Sequence, residues 1–278
     1  MKIFLTGVEG ALGSELIKHL SGHQILAPLE NELDLRNFPK VVDLMRDFRP
    51  EVVCHLAAIS DVDGCEKDKV LADAVNVQGT YAVATGANLT GAKIVYISTN
   101  YVFEGNHADP YYEWDQTSPV NEYGRTKLQG EVVIRSLTHR YFIVRTSWLF
   151  GRKSKTFASR LIETSPKPKE AKVIIDQYGC FTYTKDLSAL LARLLTTDYF
   201  GVYHLANRGK ASWYDFLRHA QQQMRFDTLI TPVKLRDLKL SARRPVDAEL
   251  GSRCYQAIFG ESMRNWQEAL DDFIKSLC

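Results

Sequence analysis

"TGVEGALGSEL" (6–16) decides the fold. It follows the strand-like run "KIFLTG" (2–7) and opens an amphipathic segment with Leu12, Leu16, Ile17 and Leu20 at helical spacing. Gly7, Gly10 and Gly13 stand three apart. Strand, glycine turn and helix in that order make a cradle for a pyrophosphate, which must lie against backbone N–H groups at a helix N-terminus, where a Cβ would intrude. Gly7 serves the tight turn, Gly10 the close approach and Gly13 the packing of helix on strand. Ala11 and Leu12 open the helix beside the cradle.

Outward from that turn, short apolar runs alternate with helical patterns. The strand candidates are 2–7, "QILAPL" (24–29), "EVVCHLA" (51–57), "AKIVYIS" (92–98), "YFIVRTS" (141–147), "KVIID" (172–176) and "GVYHLA" (201–206). Most are apolar nearly throughout, as strands covered on both faces should be. "VVDLMRDF" (41–48) reads as a helix ended by Pro50. The repetition predicts an α/β fold, a doubly wound parallel sheet of Rossmann type. The alternation holds to about residue 150. We read 1–150 as the dinucleotide-binding domain, with 172–206 returning to it, and 151–278 mainly as a smaller C-terminal substrate domain. That second part carries helical segments at 212–224 and 265–277, and a helix followed by a Pro/Lys-rich loop over 154–170.

The formal net charge of +2, with 45% apolar and 24% charged residues, gives no strong field for nucleic acid or a membrane surface. No apolar run approaches a membrane span, and no signal-peptide pattern precedes the first strand. Cys54, Cys65, Cys180, Cys254 and Cys278 are scattered and odd in number, which fits free thiols in a reducing cytoplasm. The seven histidines show no ligand spacing, so no metal site is expected.

The choice of dinucleotide stays open at this level. An acidic residue at the end of the second strand commonly meets the ribose hydroxyls of NAD. Glu30 stands at about that distance, after Pro28 and Leu29. Arg36 suits a 2′-phosphate or an ordinary surface position, and Asp34 and Leu35 are placed to meet the adenine. NADPH or NADH is the expected cofactor.

"NEYGRTK" (121–127) puts Tyr123 and Lys127 one helical turn apart on one face. Two readings are available: a solvated surface pair, or a proton donor with a cation that lowers its pKa.

The set "TGVEGALG", "HLAAIS" (55–60), "VNVQGT" (75–80), "YISTNYVFEG" (96–105) and "YGRTK" (123–127) resembles the extended short-chain dehydrogenase/reductase family. "RTSWLFG", "DQYGCFTY" and "ARRP" look like its reductases of nucleotide-linked 4-keto-6-deoxyhexoses, and the resemblance covers nearly the whole chain. It implies that Tyr123 is the general acid, that Lys127 binds the nicotinamide ribose, and that Thr99 holds the substrate oxygen. It further implies that Ala57, Ala58, Asn76 and Ser98 fix the cofactor side of the cleft. Asn100, Tyr101, Val102, Trp148 and Arg244 fall on the substrate side, Arg243 and Arg244 being suited to a diphosphate. A nucleotide sugar is the implied partner, and a homodimer is possible at the family level.

Some residues depart from the family pattern. Asn100 replaces the usual aspartate of "STDYVF", Cys180 and Phe181 replace a small polar residue and a proline, and Gly64 stands where lysine is common. "VDAELGS" after "RRP" lacks the usual serine and aspartate. The departures put the identity of the sugar in question more than the reaction. A relative from another functional class, the regulatory subunit of methionine adenosyltransferase, binds a dinucleotide without needing a proton donor. The presence of Thr99, Tyr123, Lys127 and Trp148 favours an enzyme.

Overall fold

A computed structural model describes residues 1–154, 156–164 and 166–277. Cys278 therefore lies outside the described residues; Cys54, Cys65, Cys180 and Cys254 are free. The strands are β1 (Lys2–Thr6), β2 (Gln24–Leu26), β3 (Val52–His55), β4 (Lys93–Thr99), β5 (Tyr141–Thr146), β6 (Leu149–Phe150), β7 (Glu170–Ile174), β8 (Tyr178–Gly179), β9 (Thr182–Tyr183), β10 (Gly201–His204), β11 (Ala211–Ser212) and β12 (Leu229–Val233). The helices are α1 (Ala11–His19), α2 (Phe38–Phe48), α3 (Val62–Lys67), α4 (Lys69–Asp73), α5 (Thr80–Thr90), α6 (Glu122–Leu137), α7 (Phe157–Glu163), α8 (Thr184–Leu195), α9 (Trp213–Met224), α10 (Cys254–Phe259) and α11 (Trp266–Lys275). Among the described residues no helix is long and apolar enough to cross a membrane.

The central sheet runs β2-β1-β3-β4-β5-β10, every neighbouring pair parallel. Successive side chains of a strand point to opposite faces, and both faces are covered here. Ile3, Leu5, Val52, Cys54, Val95, Phe142 and Val144 pack under Leu12 and Leu16 of α1 and Leu187, Leu191, Leu194 and Leu195 of α8. Phe4, Val53, Ile94, Tyr96 and Ile143 pack against Met45 of α2, Ala82, Val83 and Ala87 of α5, and Ile134 of α6. Helices on both faces of an all-parallel sheet make the doubly wound Rossmann architecture that the alternation predicts. The strand order reverses at β1, with β2 on one side and β3 on the other, so a crevice opens at the carboxyl ends of β1 and β3.

A second lobe gathers Phe150, Phe181, Phe216, Trp266, Leu270 and Phe273 into its own core. One reading is corrected here. The strand at 172–176 does not return to the central sheet; as β7 it pairs with β12 in a separate two-stranded sheet. Its burial alternates, with Ala171 and Val173 inward and Glu170 and Lys172 outward, which marks a half-exposed strand and not a central one. What returns is α8, packed on α1, and β10, paired with β5. β2 also stops at Leu26, two residues before Pro28, which has no N–H for a ladder.

Candidate active site

The glycine turn leaves room where a phosphate would need it. Gly7 has φ +75, and a Cβ there would stand 2.7 Å from the Ala57 backbone nitrogen; one at Gly13 would stand 2.2 Å from the Gly7 carbonyl oxygen. Both positions are closed by the chain itself. At Gly10 a Cβ would meet only the Gly7 oxygen, at 3.4 Å. Gly10 is the N-cap of α1 and offers no side-chain bond to the helix's first N–H groups. Those donors remain for an anion, so the turn fits a pyrophosphate.

Beyond β2, Glu9 reaches across from the glycine turn, its Oε2 accepting the Glu30 N–H at 2.9 Å. Asp34 is turned to Arg36, which donates from Nε and NH2 at 2.7–3.0 Å and holds the carboxyl below its usual pKa range. Leu35 is buried against Gly79.

The catalytic candidates converge at the carboxyl end of β4. Asn121 caps α6, its Oδ1 accepting the Gly124 N–H at 2.8 Å. A Cβ at Gly124 would lie 2.1 Å from the Tyr101 carbonyl oxygen, so the missing side chain lets α6 sit directly on the turn at 100–102. Tyr123 is thereby brought close to Thr99, whose hydroxyl pulls on its acidity, and its ring stands edge-on to Tyr101 at 5.9 Å. Burial pushes the Tyr123 hydroxyl well above its ordinary pKa, against the opposing pull of the Thr99 hydroxyl. Tyr123 therefore keeps its proton at neutral pH and can give it away.

Lys127 follows one turn later and is 3% exposed. Its Nζ lies 4.0 Å from the centroid of the Tyr96 ring. Among the described residues no side-chain or backbone acceptor holds that ammonium, which leaves its donors for hydroxyls such as those of a ribose. Burial lowers the Lys127 pKa to about 7, while Glu131 pulls it the other way. Tyr96 donates its hydroxyl to the Lys127 carbonyl at 3.2 Å, and a Cβ at Gly130 would strike that hydroxyl at 2.2 Å.

Behind these groups lies a buried polar layer. Ser98 donates to Glu131 Oε1 at 2.6 Å, and Arg145 binds both oxygens of Glu131 at 2.9 and 2.8 Å. Ser98 thus supports α6 from beneath. Asn76 binds both the N–H and the C=O of Ile59, at 2.8 and 3.1 Å, and donates to Thr126. His55 lies between Thr6 and Thr80, at 2.8 and 3.0 Å. The Thr80 hydroxyl donates to the Asn76 carbonyl, so His55 donates from Nε2 and accepts from Thr6 at Nδ1. Thr6 in turn accepts the Ala57 N–H at 3.3 Å. Ala57 and Ala58 continue from β3, half-buried. Tyr96, Glu131, Arg145 and His55 are absent from the sequence reading. The spacing 123, 127, 131 and a lone histidine inside an apolar strand were the available signals.

On the substrate side, Asn100 is buried and donates from Nδ2 to the Ala248 carbonyl at 3.1 Å, joining the lobes. Val102, put on the substrate side by the resemblance, has no exposed surface and packs with Phe103, Tyr111, Cys180 and Leu250. Trp148 has φ +36, uncommon for a bulky residue, and its ring packs between Phe181 at 4.9 Å and Trp213 at 4.6 Å. Arg244 is partly buried; its NH2 donates to Asp63 at 2.7 Å and its NH1 to the Ala242 carbonyl at 2.8 Å. Cys180 and Phe181 are each 1% exposed, so these two departures sit in cores and do not line the cleft.

A doubly wound sheet with a glycine turn at one strand end and a threonine, a tyrosine and a lysine gathered at another defines the extended short-chain dehydrogenase/reductase class. Residues 1–278 match the family described as RmlD substrate binding domain, and the chain belongs to that family. It is 33% identical to the spore coat polysaccharide biosynthesis protein SpsK of Bacillus subtilis, over 99% of this chain and 97% of that one. It is 31% identical to the dTDP-4-dehydrorhamnose reductase of Escherichia coli, over 100% and 98%. Among solved structures, dTDP-4-dehydrorhamnose reductase from Bacillus anthracis in complex with NADP superposes with a TM-score of 0.95, at 33% identity and 99% coverage of both chains.

Proposed function

We propose that the chain reduces the C4 ketone of a nucleotide-linked 6-deoxyhexose, dTDP-4-dehydro-L-rhamnose, to give dTDP-L-rhamnose. The observation that carries this reading is a buried Tyr123 beside Thr99 and one turn from a buried Lys127, in a chain alike over its whole length to reductases of that name. A nicotinamide dinucleotide supplies the hydride. Thr99 holds the ketone oxygen, and Tyr123 gives its proton to that oxygen as negative charge develops. Lys127 binds the ribose hydroxyls and stabilises the phenolate left behind. Gly7, Gly10 and Gly13, with Ala11 and Leu12, receive the pyrophosphate. Residues 1–150 with α8 and β10 hold the dinucleotide, and the second lobe holds the sugar nucleotide. Tyr101, Trp148 and Arg244 stand nearest the sugar and its diphosphate, while Asn100 acts from behind by locking the turn that carries Thr99.

The test follows reduced-cofactor absorbance with purified protein and dTDP-4-dehydro-L-rhamnose. Turnover is expected with wild type. Tyr123→Phe should bind cofactor yet turn over about 10²–10⁴-fold more slowly, the usual worth of a positioned proton donor. Binding without turnover in wild type would reject the sugar, and full activity in Tyr123→Phe would reject the role of Tyr123.

A further inference from the structure

We infer that Asn121 is a positioning residue that serves both halves of the site with one side chain. Its amide oxygen holds the helix of Tyr123 and Lys127, and its amide nitrogen holds the segment 241–247 that carries Arg244. The inference rests on the sugar-nucleotide site proposed above. Asn121 is 7% exposed and stands at the N-cap of α6. Its Oδ1 accepts the Gly124 N–H at 2.8 Å, and its Nδ2 donates to the Arg243 carbonyl at 2.8 Å. The two bonds fix the amide in one orientation, since turned over it would set donor against donor and acceptor against acceptor. Capping alone would be served as well by aspartate or serine. Aspartate has no donor for the Arg243 carbonyl, and serine is a bond too short to reach it while capping.

The contact closes a three-cornered junction. From α3, Glu66 Oε2 accepts the N–H of Glu122, the first residue of α6, at 3.1 Å. Also from α3, Asp63 accepts the Ala242 N–H at 2.9 Å and the Arg244 guanidinium at 2.7 Å. Asn121 joins the remaining side, α6 to 241–247. The second lobe holds the same segment from behind: Gln177 donates to the Pro245 carbonyl at 3.1 Å, and the Tyr178 N–H meets the Val246 carbonyl at 2.7 Å. Tyr123 lies in the first turn of α6, where a helix without its cap leaves N–H groups unsatisfied and frays. Loss of the oxygen's bond therefore loosens the proton donor. Loss of the nitrogen's bond loosens the cation that would meet the diphosphate. The two losses differ in kinetics. A contact made equally in ground state and transition state shows in KM, and a misplaced proton donor shows in kcat.

Asn121→Ser keeps the cap and drops the tie, and Asn121→Ala drops both. With saturating reduced cofactor, Asn121→Ser should raise KM for dTDP-4-dehydro-L-rhamnose about tenfold and hold kcat within about twofold of wild type. Asn121→Ala should raise KM alike and also lower kcat about tenfold. A residue that only stabilises the fold would lower Tm and leave both constants. Hydrogen exchange read by mass spectrometry is the second measurement, and it needs no substrate. Exchange over 241–247 should quicken in both variants, and over 122–125 in Asn121→Ala alone. Wild-type KM in Asn121→Ser, or an equal loss of kcat in the two variants, would overturn the inference. So would unchanged protection of 241–247 in both. A wild type that binds cofactor but does not reduce this sugar rejects the proposed substrate instead, and the exchange pattern then upholds or overturns the double hold.

Discussion

The Tyr96 ring beneath Lys127 does for a buried ammonium what water does at the surface. An ammonium over an aromatic face gains about 1–2 kcal/mol when desolvated, and here the ring is also tied to the helix by its hydroxyl on the Lys127 carbonyl. Burial disfavours the charged form of Lys127 and the ring favours it. Removing the ring should therefore lower the Lys127 pKa further below about 7. Cofactor binding that needs the ammonium fails as pH rises through that pKa, so in Tyr96→Leu the alkaline fall in affinity should begin at lower pH. Tyr96→Phe keeps the ring and should follow wild type. Cofactor Kd across pH 5.5–9 decides it, and identical profiles for Tyr96→Leu and wild type would leave Tyr96 a packing residue. At this scale the sequence was only partly legible. Tyr123 and Lys127 declare themselves by their spacing. Tyr96 looks like any aromatic in a buried strand, since its role depends on Gly130 making room for its hydroxyl from another element.

The glycine turn separates two functions within one element. Gly7 and Gly13 are glycines because a Cβ there would clash with the chain, and Gly10 is one although a Cβ would make only an ordinary 3.4 Å contact. Gly13→Val should therefore strain the fold, costing about 1–3 kcal/mol and several degrees of Tm. Gly10→Val should melt near wild type and lose cofactor binding. Thermal melts with cofactor titrations test the pair, and normal cofactor affinity in Gly10→Val would mean that no pyrophosphate rests on this turn. Elements were the most readable level. β1, β3, β4 and β5 are largely buried and read as nearly unbroken apolar runs, while β2 at the sheet edge is only partly covered. β7 was given to the wrong sheet because "KVIID" is apolar enough to pass as central, although its Lys172 and the preceding Glu170 point outward. Its partner β12 went unread, since Pro232 interrupts it. The loop departures also look different once placed. Phe181 stacks on Phe216 at 3.9 Å. Burying such a ring is worth about 2–3 kcal/mol, so it stabilises the second lobe and does not choose the sugar.

The two lobes are joined by more than one crossing of the chain. Asn100 bonds Ala248, Arg244 pairs with Asp63, Asn121 donates to the Arg243 carbonyl, and the Val246 and Asp247 N–H groups meet the Gly105 carbonyl. An aspartate at position 100 could not donate to Ala248, so the departure there creates a tie between lobes. Domain limits drawn on sequence near residue 150 miss this weave, because α8 and β10 rejoin the first lobe only after the second has begun. A chain ended at Tyr183 should accordingly show no cooperative melt and should bind a hydrophobic dye such as ANS; a soluble fragment with a sharp transition would show that the first lobe stands alone. The cover that α8 lays over Ile3, Leu5, Val52, Cys54, Val95, Phe142 and Val144 comes from residues 187–195. During synthesis, roughly two thirds of the polypeptide has left the ribosome before that face can be closed. For that interval the nascent chain carries an apolar sheet face covered by α1 alone, a substrate for chaperones before it is a catalyst for anything.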